Sequence, residues 1–178
     1  MARSILVAYA TKRGSTREVA EAVAATIEEQ GLQVEVRPAM EVEAVGNYDG
    51  IVLGGALYMG RWHADARRFL RRHRKALAQL PVAVFGMGPL TLKERDVAGS
   101  RRQLERALAK APEVHPVSVA IFGAVVDPAK LRFPFSHMPA TDARDWDAIR
   151  TWAEEVAAEL VEQKTAAPGL VTAGQAER

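Results

Sequence analysis

The stretch SILVAYATKRGSTREVAEAVA, residues 4–24, joins a short apolar run to a segment with helical periodicity. Residues 4–9 are almost uninterrupted by polar side chains, which is typical of a parallel strand covered on both faces. From residue 16 onward, apolar side chains recur every three or four positions, which predicts an amphipathic helix. The polar loop TKRGST, residues 11–16, lies between them. This order of strand, loop and helix predicts the opening unit of an α/β protein.

The rest of the chain repeats this alternation. Short apolar runs bounded by Gly, Pro or polar residues predict further strands at 32–37, 50–56, 82–87 and 117–124. Helical spacing of apolar residues predicts helices at 16–29, 65–80, 100–111 and 145–162. Residues 32–37 alternate polar and apolar side chains, so we expect this strand at a sheet edge. The whole pattern predicts a doubly wound, five-stranded parallel sheet with helices on both faces.

Length and composition favour one globular domain. The chain has 178 residues, of which 48% are hydrophobic and 26% charged. We expect residues 1–163 to form the domain and residues 164–178, which lack periodicity, to form a loose tail. No apolar run reaches the roughly 18 residues that span a bilayer, and no signal peptide is evident, which favours a cytoplasmic protein.

Charge and cysteine content exclude several functions. The formal net charge is only +2, which argues against a dedicated nucleic-acid-binding protein. The chain contains no cysteine, which excludes disulfides and thiolate catalysis. The four histidines show no metal-binding spacing, so we expect no metal site.

The loop at residues 11–16 could bind a phosphate group. Backbone N–H groups at a helix amino terminus are unpaired donors, and Gly14 would allow the backbone to approach an anion closely. The loop lacks both the dinucleotide motif G-x-G-x-x-G and the P-loop motif, which favours a mononucleotide. The alternative is an ordinary capped helix start. The candidate phosphate ligands are Thr11, Lys12, Arg13, Gly14, Ser15 and Thr16.

Two further loops follow strands at the sheet edge where doubly wound folds bind ligands. GGALYMGRWH, residues 54–63, carries apolar and aromatic side chains that could cover a flat aromatic ligand. Alternatively, Tyr58 or Trp62 packs under the following helix. GMGPLT, residues 86–91, is an irregular turn whose backbone could bond a heterocycle. The candidates are Ala56, Leu57, Tyr58, Met59, Gly60 and Trp62, followed by Met87, Gly88, Pro89 and Leu90.

Together, the three loops make the chain resemble the flavodoxin-like FMN proteins over residues 3–163. TKRGST is similar to the family's phosphate loop T-x-T-G-x-T, with Arg13 at a position where the family usually has Thr. NYDGIVLGGALYMGRWHADARRFLRRH, residues 47–73, is similar to the branch that contains the menaquinone-dependent protoporphyrinogen oxidases of bacteria. DARDWDAIRTWAEEVAAEL, residues 142–160, resembles the last helix of that branch.

The resemblance implies an FMN cofactor with its phosphate in loop 11–16. It places the isoalloxazine ring between residues 56–62 and 87–91. Met59 lies where relatives often have an aromatic residue, so Tyr58 or Trp62 would stack on the ring instead. Arg61 and His63 are candidate substrate contacts. No catalytic side chain is expected, because the flavin itself performs the redox chemistry.

The function implied is an oxidoreductase that transfers electrons to or from a quinone- or porphyrinogen-like acceptor. Residues 125–143 are shorter than the insertion that follows the fifth strand in the protoporphyrinogen oxidases. The chain also lacks the strongly acidic character of electron-carrier flavodoxins. The alternatives are therefore an electron-transfer flavodoxin serving a redox protein, or a cofactor-free flavodoxin-like binding module. The basic run at residues 67–75 is compatible with peripheral membrane contact, and the oligomeric state is not predicted.

Overall fold

The computed structural model describes residues 3–165, and these form alternating strands and helices. The helices are α1 (Ser15–Glu29), α2 (Ala64–Leu77), α3 (Glu94–Leu108) and α4 (Trp146–Thr165). The strands are β1 (Ser4–Ala10), β2 (Gln33–Pro38), β3 (Gly50–Tyr58), β4 (Arg61–Trp62), β5 (Val82–Met87), β6 (Ser118–Phe122), β7 (Val125–Val126) and β8 (Thr141–Asp142).

The main sheet has the order β2-β1-β3-β5-β6, and these five strands are parallel. This confirms the predicted doubly wound sheet, including the edge position of β2. The central strands β3 and β5 are almost wholly buried, as their continuous apolar sequences predict. Strands β1 and β3 are neighbours, but the helices that follow them pack on opposite faces. The strand order therefore reverses between β1 and β3, which leaves a crevice at their carboxyl ends.

Two apolar layers hold the helices on the sheet. Side chains of α1 and α4 pack on one face, and side chains of α2 and α3 pack on the other. The first layer contains an aromatic cluster in which Phe85, Phe122 and Trp152 have ring centroids 5.5–5.9 Å apart. Such tilted and edge-to-face pairs are favourable beyond the area that they bury.

Glycines in β3 make room for aromatic rings on both faces of this strand. A Cβ atom on Gly54 would lie 2.0 Å from Cζ of Phe85. On Gly55, a Cβ atom would lie 2.6 Å from Nε1 of Trp62. Both rings therefore lie directly against the backbone of β3, which a side chain at either glycine would prevent.

The observed boundaries differ from the predicted ones at several helices. Helix α3 begins at Glu94, six residues before the predicted start at Ser100. The prediction missed its first turn because that turn is polar and shows no apolar spacing. Acidic residues in that turn nevertheless favour a helix start through the helix dipole. Helix α2 ends at Leu77 rather than at the predicted Leu80. Helix α4 runs to Thr165, past the predicted domain boundary at 163, and the remainder of the predicted tail lies outside the described residues.

We predict that Gly54→Ala destabilises the fold by about 1–3 kcal/mol, because the new methyl group overlaps the buried Phe85 ring. Gly46→Ala is the matched control, since nothing lies within 4 Å of its added Cβ atom. Urea denaturation of both variants measures the free energy of unfolding. Equal free energies of unfolding for the two variants would show that the methyl group at residue 54 does not clash with the Phe85 ring.

Candidate functional site

A cleft of about 650 Å³ opens at the carboxyl ends of the central strands. It is lined by most of the residues predicted to bind a ligand, so the fold brings the three predicted loops together. These residues are Thr11, Lys12, Arg13, Ser15, Ala56, Leu57, Tyr58, Met59, Trp62, Met87, Gly88 and Leu90, with the two predicted substrate contacts Arg61 and His63. The remaining four predicted ligands, Gly14, Thr16, Gly60 and Pro89, do not line it.

The first loop turns sharply into α1 at Gly14, whose φ of 95° lies in the left-handed region that favours glycine. The Gly14 N–H donates a hydrogen bond to Thr11 Oγ1, 2.9 Å away. Within the described part of the chain, no side chain caps the amino terminus of α1. The alternative of an ordinary side-chain-capped helix is therefore wrong. The first-turn N–H groups, which have no partner within a helix, are left for water or an anion.

Thr16 supplies a test of whether an anion fits this loop. The residue is completely buried in the first turn of α1, yet its Oγ1 has no hydrogen-bond partner among residues 3–165. A buried hydroxyl without a partner is rare and destabilising, because it has lost its hydrogen bonds to water. An anionic oxygen at the amino end of α1 would supply the missing partner. Loop 11–16 thus has the chemistry that a bound phosphate requires.

The second loop forms a tight hairpin between β3 and β4, with positive φ at Met59 and Gly60. Its tip exposes Tyr58 and Met59, which are 43% and 75% accessible to solvent. The Lys12 Nζ lies 5.1 Å and the Arg13 Cζ 6.0 Å from the centroid of the Tyr58 ring. These cation–π contacts connect the first loop to the second.

Trp62 has a different environment from Tyr58. It is only 1% exposed, and its Nε1 donates a hydrogen bond to the Gly55 carbonyl oxygen, 3.0 Å away. Its ring packs in the core beneath the hairpin, so it offers almost no surface for stacking. Of the two aromatic residues expected to stack on a ligand, Tyr58 is the one that is accessible.

His63 and Arg61 lie beside this hairpin on the wall of the cleft. The Nδ1 of His63 accepts a hydrogen bond from the Asp65 N–H and so caps α2. His63 is therefore fixed by a local contact at the edge of the cleft. The Arg61 side chain is exposed.

The third loop uses part of its backbone internally. The Gly88 N–H donates to the Phe122 carbonyl oxygen, and the Pro89 carbonyl oxygen accepts from the Ala124 N–H. These two bonds hold the loop against the end of β6, and the Gly88 N–H is therefore not available to a ligand. Gly88 is also tightly enclosed, because a Cβ atom there would lie 2.8 Å from both Leu57 and Ser100.

The segment between β7 and β8 forms a fourth side of the cleft, which was not among the predicted ligands. Its apolar side chains Leu131, Phe135 and Met138 line the cleft. The signal in the sequence was a group of large apolar side chains close together in this loop. Phe133 belongs to the same group but is 82% exposed and does not line the cleft.

The family model for the flavodoxin domain matches residues 6–138, which include all of these loops. The chain belongs to the flavodoxin domain family. Membership in this family and the flavodoxin fold imply a flavin ligand.

The chain is also a distant homologue of a named enzyme. It is 23% identical over 169 residues to the Escherichia coli (strain K12) protoporphyrinogen IX dehydrogenase [quinone], covering 85% of this chain and 93% of the relative. The protein of the same name from Escherichia coli O157:H7 matches to the same extent.

Solved structures confirm the flavodoxin-like fold. A mutant flavodoxin from Pseudomonas aeruginosa matches with a TM-score of 0.57 and 16% identity, over 89% of this chain and 99% of that one. An archaeal flavodoxin matches with a TM-score of 0.59 and 14% identity over the same shares. The Flv1 flavodiiron core from Synechocystis has a TM-score of 0.60 and 18% identity, over 94% of this chain and 37% of that one.

The described part of this flavodoxin domain has neither a membrane-spanning helix nor a cluster of metal-binding side chains. Between residues 3 and 165, no helix combines the length and the apolar character needed to cross a bilayer. The same residues contain no cluster of three or more His, Asp or Glu side chains that could hold a metal ion.

One arginine connects the fourth side of the cleft to the helix that follows loop 11–16. The Arg144 side chain is only 10% exposed, and its guanidinium contacts Glu18 in the first turn of α1. It also lies 2.6 Å from Asp142 Oδ2 at the base of the β7–β8 segment. Its Cζ lies 4.7 Å from the centroid of the Trp146 ring. Arg144 therefore holds the base of the β7–β8 segment against α1.

The ion pair between Arg144 and Asp142 makes the stability of the folded protein depend on pH. Hydrogen bonds from Arg144 lower the pKa of Asp142 below its ordinary value. The folded-state pKa is thus below the unfolded one, so the pair contributes stability above the unfolded pKa of about 3.9. That contribution is lost as pH falls through the folded-state pKa.

We predict that Arg144→Met lowers the free energy of unfolding most at neutral pH, and that its difference from the wild type shrinks below about pH 4. Urea denaturation at several pH values measures this difference. Arg95→Met is the control, because Arg95 is 93% exposed and its ion pair should contribute less than about 1 kcal/mol. A pH-independent effect of Arg144→Met would show that the ion pair is not its cause.

Proposed function

We propose that this chain is an FMN-dependent oxidoreductase that transfers electrons to or from a quinone- or porphyrinogen-like acceptor. The observation that carries this proposal is the polarity of the cleft. Beside one end lie the unpaired backbone donors of the first turn of α1 and, just beneath the surface, the unpartnered hydroxyl of Thr16. The other end is apolar and aromatic. A ligand with a phosphate at one end and a flat ring at the other fits this arrangement.

The phosphate would be held by loop 11–16 and the first turn of α1. The backbone N–H groups of that turn and the hydroxyl of Thr16 supply neutral donors. Lys12 and Arg13 add positive charge beside them. The absence of a second spaced glycine in the loop favours a mononucleotide such as FMN over a dinucleotide.

The ring would lie between the second and third loops. Tyr58 offers an accessible aromatic face there, while Leu57 and Leu90 supply apolar surface. When bound, the isoalloxazine ring supplies reversible electron transfer, and the protein supplies its orientation and surroundings. No side chain of this chain is required as a covalent catalyst.

The acceptor would enter beside the β7–β8 segment. Leu131, Phe135 and Met138 form an apolar wall there, which suits an apolar ring system better than a small polar acceptor. The name of the Escherichia coli relative includes a quinone, which supports a quinone-like acceptor for this chain. Arg61 and His63 lie at the same cleft and are the proposed polar contacts for a substrate.

We predict that Thr16→Val weakens FMN binding about tenfold or more, because it removes a hydrogen bond to a charged group. The same change should leave the stability of the flavin-free protein unchanged or slightly higher, since it removes a buried hydroxyl without a partner. FMN titration followed by fluorescence measures the affinity, and urea denaturation of the flavin-free protein measures the stability.

Thr26→Val is the matched control for this change. Thr26 is also buried in α1, but its Oγ1 donates to the Ala22 carbonyl oxygen, 3.0 Å away. Its substitution should leave FMN affinity unchanged. If Thr16→Val bound FMN as tightly as the Thr26→Val control, the Thr16 hydroxyl would not be a phosphate ligand.

We predict that Phe135→Ser raises the KM for a short-chain naphthoquinone roughly threefold to tenfold, because it removes apolar surface from the acceptor wall. The rate with ferricyanide, a small polar acceptor, should not change. Steady-state kinetics with both acceptors separates the two effects. Phe133→Ser is the control, since this neighbouring ring lies outside the cleft.

Other outcomes would favour the alternative functions. Activity with a redox-protein acceptor but with no quinone would indicate an electron-transfer flavodoxin. Purified protein that binds no FMN would indicate a binding module without a cofactor.

A further inference from the structure

A second groove lies behind the β3–β4 hairpin, between α2 and α3. It has a volume of about 600 Å³. Its polar lining consists of Gln103 and four cationic side chains, Arg61, Arg67, Arg106 and Lys110. No Asp or Glu is among the described residues that line it. Arg71 lies close by, in the adjoining depression that Arg67 and Lys110 also line.

These cations differ from two others on α2, which have carboxylate partners. Arg68 lies 3.0 Å from Asp65 Oδ1, and Arg74 lies 4.0 Å from Glu113 Oε1. By contrast, among residues 3–165, none of the cations lining the groove has a carboxylate within 4.0 Å. Gathering like charges without counter-charges is unfavourable, and a bound anion would relieve it.

Arg67 is the most ordered member of the group. Its Nε donates to the Trp62 carbonyl oxygen, 3.0 Å away, and its side chain is half-buried. The terminal nitrogens of Arg67 have no partner among the described residues. A guanidinium fixed in this way can form paired hydrogen bonds with a carboxylate or a phosphate.

The groove is continuous with the cleft. Arg61 and Arg67 line both of them, with Trp62 buried between. A molecule whose anionic groups lie in the groove would therefore have its remaining part next to the cleft. The concave shape and limited volume suit a small molecule rather than the broad surface of a macromolecule.

We propose that this groove binds the carboxylate or phosphate groups of a small substrate with at least two negative charges, whose reacting part enters the cleft. The binding itself is independent of the flavin, whereas its role in electron transfer rests on the proposed function. The groove thereby selects anionic substrates over neutral ones of similar ring structure.

The test uses the full chain, saturated with FMN and free of it, with inorganic pyrophosphate and citrate as phosphate and carboxylate probes. Calorimetric titration at low ionic strength measures their affinities, because exposed charge pairs are screened by salt. The test variant is Arg106→Gln combined with Lys110→Gln, neither of which lines the cleft. The matched control is Arg72→Gln combined with Arg102→Gln, which removes the same charge from exposed positions of α2 and α3 outside the groove.

We expect at least one anion to bind, and its affinity to fall about tenfold or more in the test variant but less than about twofold in the control. The preferred anion identifies phosphate or carboxylate as the recognised group. Equal losses in both variants would overturn the proposal, because net charge alone would explain them. The proposal would also be overturned if neither pyrophosphate nor citrate bound. Each of these failures would leave FMN binding and quinone reduction intact, so they are distinguishable from a failure of the proposed function.

Discussion

Parallel pairing of β1 with β3 determines where the loops of the site meet. Tyr9 is aligned with Gly54, and Ala10 with Gly55, so both strands reach the same edge of the sheet at the same level. Because the helices that follow pack on opposite faces, the loops after these strands diverge and leave space between them. β5 continues the register on the other side of β3, with Met87 aligned to Ala56. Loop 11–16, the β3–β4 hairpin and the third loop thus share one edge of the sheet.

Much of this arrangement could be predicted from the sequence, because its signals are local. Apolar runs of strand length mark the buried strands, and helical spacing marks α1 and α2. The loops that follow parallel strands lie at the same edge of the sheet, so the loops at 11–16, 54–63 and 86–91 were expected to lie together. The doubly wound sheet and most of the cleft lining followed from these local features, whereas the flavodoxin-like fold came from the resemblance to a known family.

The remaining features depend on contacts between distant parts of the chain. The role of Trp62 is decided by the absence of a side chain at Gly55, which lets the indole lie on the strand and bond its backbone. The Gly88 N–H donates its hydrogen bond to the carbonyl oxygen of Phe122, which is remote in sequence. The short strands β7 and β8 have two residues each, too few to produce a recognisable pattern. The start of α3 was missed because its first turn is stabilised by charge and not by apolar spacing.

The position of Arg144 has a thermodynamic consequence for the cleft. A single, nearly buried guanidinium joins the first turn of α1 to the base of the segment that carries Leu131 and Phe135. Loop 11–16 and the β7–β8 segment, on opposite sides of the cleft, are therefore parts of one connected unit. A ligand that ordered the β7–β8 segment and thereby stabilised α1 would strengthen binding at loop 11–16. By reciprocity, occupation of loop 11–16 would strengthen binding beside the β7–β8 segment by the same factor.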